Sequence, residues 1–286
     1  MATAEFTMKE LIEAGVHFGH KTKRWNPKMA PFIYGVRNDT HIIDLNKTVP
    51  LLQNALQAVF ETARAGGKIL FVGTKRQASD VVAETARGCG HYYVNNRWLG
   101  GMLTNWNTIQ NSIRRMSELE DQLEHGQSVL TKKELLNIER NRDKLERSLG
   151  GIRKMGTVPN LIFIIDVVHE DLALKEAAKL NIPVAAIVDT NADIANVDFP
   201  IPGNDDATKA IRLYCDLIAQ TIRKGMQAGG FEVKAVEEKP KQVEAKDTKA
   251  SEKADDKTSR STTRKEAMAA AAKLAGFTRE ENRNAS

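Results

Sequence analysis

Three stretches of this chain, Lys68–Thr74 (KILFVGT), Leu161–Val167 (LIFIIDV) and Pro183–Asp189 (PVAAIVD), are apolar at nearly every consecutive position. A strand with one face in water alternates polar and apolar residues. A strand with almost no wet positions must be covered on both sides, which is the signature of a parallel sheet between two layers of helices. His91–Asn95 is a fourth, shorter strand candidate, and Pro183 is tolerable as an opening residue.

Helical patterns alternate with these runs. Residues 75–87 place Ala78, Val81, Val82 and Thr85 on one face, Glu170–Leu180 is rich in helix formers, and Asp205–Gly225 carries Ile211, Leu213, Tyr214, Leu217, Ile218 and Ile222, with Asn204 or Asp205 as its cap. Two helices are expected ahead of the first run: Thr7–Ala14, and Asn46–Arg64 with Pro50 in its first turn. Residues 105–149 interrupt the alternation with two helices whose apolar residues (Trp106, Ile109, Ile113, Met116, Leu123, then Leu135, Ile138, Leu145, Leu149) form narrow stripes around a turn at Gly126. Two such stripes bury each other in an antiparallel hairpin. From Phe231 to Ser286, Lys, Glu, Asp, Ser and Thr dominate, a composition too polar to pack a core, with one helix-forming island at Arg264–Ala275. The expectation is an α/β domain over 1–230, a doubly wound, flavodoxin-like parallel sheet with the hairpin 105–149 inserted, followed by a charged, largely disordered extension over 231–286.

Charge is distributed unevenly. Residues 1–117 hold 15 Lys plus Arg against 8 Asp plus Glu, whereas residues 118–230 hold 14 against 18. Windows 14–38, 62–79 and 85–117 contain no carboxylate, and Trp25, Trp98 and Trp106 all fall inside the first or the third. The first window sets Lys21, Lys23, Arg24 and Lys28 around Trp25 and Asn26 on a segment broken by glycine and proline. Cations, a stacking ring and an amide on such a segment suit a nucleic-acid backbone. The third window adds Asn96, Arg97 and Asn105 around Gly100-Gly101, with Arg114 and Arg115 continuing onto the hairpin, and Lys75 and Arg76 follow the first strand in the second. For Trp98 and Trp106, core packing outweighs stacking.

Enzyme chemistry is poorly supported. Gly66-Gly67-Lys68 precedes its strand and Gly73-Thr74-Lys75 lacks the glycine-rich stretch of a phosphate loop, so both lysines read as exposed charges near turns. His17 and His20 have no cysteine nearby, Cys89 and Cys215 are far apart, and no nucleophile pairs with a histidine by a local motif. Asp189, Asp193, Asp198, Asp205 and Asp206 follow the last strand, where open sheets bind ligands, but aspartates are also the ordinary residues of turns and helix starts. No catalytic residue, metal or cofactor is expected; the alternative is a nucleotide- or metal-dependent enzyme using that crevice. With neither a secretory signal nor an apolar span, the expected location is cytoplasmic, with no membrane partner.

The strings GVHFGH, RWNPKM, FVGTKRQ and NRWLGGMLTN, followed in order by VPN at 158–160, IVDTN at 187–191 and IPGNDD at 201–206, resemble the bacterial S-two family of small-subunit ribosomal proteins from about residue 5 to 225. That resemblance implies a parallel α/β domain with a protruding helical hairpin, placed on the solvent side of the small subunit where head meets body. It also implies contacts with small-subunit ribosomal RNA through the basic loops and the hairpin, neighbouring ribosomal proteins as partners, and a docking surface for the large messenger-binding S-one protein. Family members commonly end soon after the helix that closes near Gly225, so the role of 231–286 does not transfer. An additional RNA or protein contact is the expectation there.

Overall fold

A computed structural model describes residues 3–125 and 131–231. The chain opens with helix α1 (Met8–Glu13), started by a reciprocal pair in which Thr7 Oγ1 accepts from the Glu10 amide and Glu10 accepts from the Thr7 amide. Strands β1 (Phe18–Lys21), β2 (Ile33–Arg37) and β3 (Thr40–Ile43) form an antiparallel sheet ordered β1-β3-β2, which the sequence pattern does not announce. Helix α2 (Leu45–Arg64) begins at Asp44, whose carboxylate caps the Asn46 amide. This start puts the exposed Pro50 at the sixth helical residue, beyond the expected first turn.

The main sheet contains β4 (Ile69–Val72), β5 (Tyr92–Val94), β6 (Leu161–Ile165), β7 (Val184–Val188) and β8 (Phe199–Pro202). All pairs are parallel and the order is β5-β4-β6-β7-β8. The expected doubly wound sheet is present, with one strand more than the four expected. Its connecting helices are α3 (Arg76–Gly88), the hairpin of α4 (Trp106–His125) and α5 (Lys132–Leu149), α6 (Asp171–Lys179) and the closing α7 (Thr208–Ala228). The capping of α7 differs from expectation: Ala207 is the cap residue, and Asn204 Oδ1 accepts from the Asp206 and Ala207 amides just ahead of it. Both the turn expected at Gly126 and the extension 232–286 lie outside the described residues.

Strand periodicity explains why the runs have no polar positions. Ile69, Phe71, Phe163, Ile165, Ala185 and Ile187 pack against α2, α3 and α7, while Leu70, Val72, Ile162, Ile164, Val184 and Ala186 pack against α6 and the root of the hairpin. Ile109 and Leu149 join the second cluster, so the hairpin base is fixed to the core, and among the described residues its outer turns bury little. Glu120, the polar residue in the α4 stripe, pairs through both carboxylate oxygens with Arg153, at 2.5 and 3.0 Å. The close pair α2–α7 depends on Gly225, where an added Cβ would stand 2.7 Å from the Phe60 carbonyl and 2.8 Å from Ala63 Cβ. Gly225→Ala is therefore expected to cost about 1–3 kcal/mol, because the helices must part to admit it. A denaturant midpoint that rises instead would show that the helix gain outweighs the clash.

Candidate nucleic-acid interface

After β1 the chain makes 3-10 turns at Thr22–Arg24 and Pro27–Phe32. Lys21, Lys23 and Arg24 are exposed along this path. Trp25 is 41% exposed, its ring tilted against the buried His41 ring at 5.4 Å. Asn26 is engaged within the protein, its side-chain oxygen accepting from the Lys28 amide and its own N–H donating to the Thr190 carbonyl at 2.8 Å. Lys28 reaches Asp193 at 2.7 Å, an exposed pair of small energetic weight.

The loop after β5 is built around Glu176 of α6. This carboxylate accepts from Trp98 Nε1 (3.0 Å), the amides of Gly101 (2.8 Å), Leu103 (2.9 Å) and Thr104 (3.0 Å), and Thr104 Oγ1 (3.1 Å). Burial opposes the charge, but the Thr104, Trp98, Leu103 and Gly101 donors overcome it and hold the carboxyl below its ordinary range. Trp98 packs in the core as expected, and Trp106 is half-buried with Nε1 on the Gly156 carbonyl. Trp25 is thus the tryptophan left with a broad exposed face.

Arg97 is exposed on this loop, and Asn96 donates to the Arg147 carbonyl at 2.9 Å. Asn105 accepts from Thr108 Oγ1 at the start of α4. Arg114 is exposed, and Arg115 is exposed beside Glu118 at 3.2 Å. Asn96 and Arg97 line a groove of about 410 Å³ together with Arg140, Asp143, Lys144 and Arg147 of α5. The α5 cations are absent from the sequence-based site, although their spacing of four and then three sets them on one helical face.

Lys75 behaves differently from Arg76, which is exposed at the first turn of α3. Only 17% of the Lys75 side chain is exposed, and its Nζ lies 2.5 Å from Asp206, 3.0 Å from Asp205 and 3.1 Å from Asp166. The exposed lysine expected at this turn is therefore a half-buried one. The reason is topological: the switch between β4 and β6 brings the carboxyl ends of β4, β6 and β7 and the loop after β8 to one place. Burial disfavours the ammonium, but the Asp206 bond and the Asp205 and Asp166 charges raise its pKa. Burial, aided by Asp166 and Asp189, pushes Asp205 up to about 7 despite Lys75. His20 completes the group, with Nδ1 at 3.0 Å from Asp189 and Nε2 at 3.4 Å from Asp206. Its pKa is raised, first by Asp189.

The family model "Ribosomal protein S2" matches residues 11–225. The small ribosomal subunit protein uS2 of Rhodospirillum centenum is 59% identical over 248 residues, covering 85% of this chain and 95% of the relative. That of Chelativorans sp. is 60% identical over 227 residues, 79% of this chain and 85% of the relative. That of Gluconobacter oxydans is 54% identical over 259 residues, 89% of this chain and 98% of the relative. The last match covers more of this chain than the stretch ending at Gly225 contains, so part of the extension has a counterpart in that relative. With a family match spanning the whole α/β domain and identities above one half over most of the sequence, the chain belongs to the ribosomal protein S2 family.

Proposed function

We propose that this protein is a non-enzymatic constituent of the small ribosomal subunit and binds ribosomal RNA through two basic surfaces of the 1–230 domain. One is the segment Lys21, Lys23, Arg24, Trp25, Asn26 and Lys28; the other is Asn96, Arg97 and Asn105 with Arg114 and Arg115, extended by Arg140, Lys144 and Arg147 along α5. Arg76 adds a further cation, while Lys75 contributes through the ion network that holds the adjacent loops. The observation that carries this reading is the exposure of Lys21, Lys23, Arg24 and Trp25 together on a segment free of carboxylates.

The protein also offers a docking surface to the large messenger-binding S-one protein, as the family resemblance implies. Support comes from Tyr34 and Val36, 78% and 57% exposed on edge strand β2, an apolar pair at alternate positions of one strand. The extension 231–286 is proposed as a second unit that adds an RNA or protein contact. Unchanged ribosome occupancy and growth after deleting it would remove that part of the proposal.

Sedimentation of the tagged full chain through a sucrose gradient tests the central claim. It is expected to travel with small subunits and to leave them as salt is raised. A chain that stays at the top of the gradient while other small-subunit proteins co-sediment would identify a free RNA-binding protein instead.

A further inference from the structure

The group at the carboxyl ends of the parallel strands carries more negative charge than its own cations offset. With Asp205 ionised, the group holds four carboxylates, Asp166, Asp189, Asp205 and Asp206, around a single ammonium, that of Lys75, which pairs with all but Asp189, so even a protonated His20 leaves two carboxylates uncompensated. Asp205 is 1% exposed; its Oδ1 takes Lys75, but its Oδ2 is buried without a hydrogen-bond partner. Leaving such an oxygen dry is costly unless a cation or donor occupies the space beside it.

His20 Nδ1 meets the group from the opposite side. It is buried and stands 3.0 Å from Asp189 Oδ2. One ligand atom from each of His20, Asp189 and Asp205 falls within 4.8 Å of the others. Tetrahedral zinc, with bonds of roughly 2.0–2.2 Å to nitrogen and oxygen, holds its ligand atoms about 3.3–3.5 Å apart, within reach of this arrangement by small rotamer changes.

We infer that His20, Asp189 and Asp205 form a binding site for one divalent transition-metal ion, zinc being the best match to a donor set of one imidazole and two carboxylates. An all-oxygen set would have favoured magnesium or calcium; the imidazole shifts the preference. Asp206, 52% exposed at its side chain, stands 3.4 Å from the other ring nitrogen of His20, Nε2, where a carboxylate orients a metal-binding imidazole from outside. Lys75 remains on the Asp205 Oδ1 and Asp166 side, so the ion adds to the internal ammonium without replacing it. A dication with neutral imidazole leaves the group one charge from balance. The ion would join three separate parts of the chain: β1, the end of β7 and the loop before α7.

The full chain, stripped with chelator, should bind one zinc ion in calorimetric titration and melt at a higher temperature with zinc than without. Loss of an outer partner of a metal ligand typically weakens binding by about 10–100-fold, so loss of a ligand itself in His20→Ala or Asp205→Asn should cost about 100-fold or more, with His169→Ala unchanged. Absence of one-to-one binding in the micromolar range, or binding undiminished in both variants, would overturn the site. Both substitutions also touch the ion network, so cobalt loaded into the wild type provides an independent readout. A strongly shifted His20 imidazole resonance is expected, and its absence with cobalt bound would place the metal elsewhere.

Discussion

Glu176→Ala is expected to destabilise the folded domain by about 3–5 kcal/mol, since it strips the common acceptor from several donors, of which the Trp98 indole and the Leu103 amide are buried. At roughly 2–4 °C per kcal/mol for a domain of this size, the melting temperature should fall by about 10 °C. Gln is no remedy, because its amide nitrogen would face a donor wherever it replaced an oxygen. The exposed Lys175–Asp171 pair on the same helix provides the contrast: Lys175→Ala should cost no more than about 0.5 kcal/mol. Because the folded pKa of Glu176 is depressed, its charge stabilises fully above the ordinary glutamate pKa, and this contribution is lost as pH falls through the lower folded value. Thermal melts of both variants between neutral and acid pH check these statements. Equal losses would mean that the loop finds other acceptors. A loosened loop would also carry Arg97 away from the α5 cations.

Replacing Lys21, Lys23, Arg24 and Arg97 together by alanine should reduce the salt dependence of RNA binding by three to four units of slope, at about 0.9 per duplex-like phosphate contact. Going from 50 to 200 mM salt should then cost the wild type roughly 100-fold more affinity than the variant. A control with Lys9, Lys175, Lys179 and Lys209 changed to alanine loses the same formal charge from other positions. Filter binding to small-subunit RNA over a salt series separates the two. If both variants follow the same line, the binding reflects total charge and not a directed surface.

Much of the scaffold was legible in the sequence because burial on both faces leaves uninterrupted apolar runs, and three of the five parallel strands have them. The strand β8 did not announce itself: Phe199–Pro202 contains two prolines, tolerated because the strand lies at the sheet edge. Strands β1–β3 are short and carry no full apolar face, so a period of two had little to act on. Glu176 had left a trace, since it stands on the helical face defined by Ala173, Leu174 and Ala177, where a carboxylate needs donors, and the acid-free window 85–117 held them. The destination of Lys75 was not readable locally. Its three carboxylate partners are 91 to 131 positions away, and only the strand order brings them together.

Strand β1 crosses the carboxyl end of the main sheet and is fastened there: Thr190 Oγ1 accepts from the His20 amide, the Thr190 carbonyl from the Asn26 amide, and Gly19 approaches so closely that a Cβ would fall 2.6 Å from the Thr190 methyl. The place where sheets of this topology usually receive a small molecule is thereby closed by the polypeptide itself. Fastening also fixes the spacing between the cations following β1 and those around Arg97 before any polyanion arrives. On the proposed reading, an RNA that meets the first patch finds the second already in position, so its second contact is an intramolecular event whose orientational cost was met during folding.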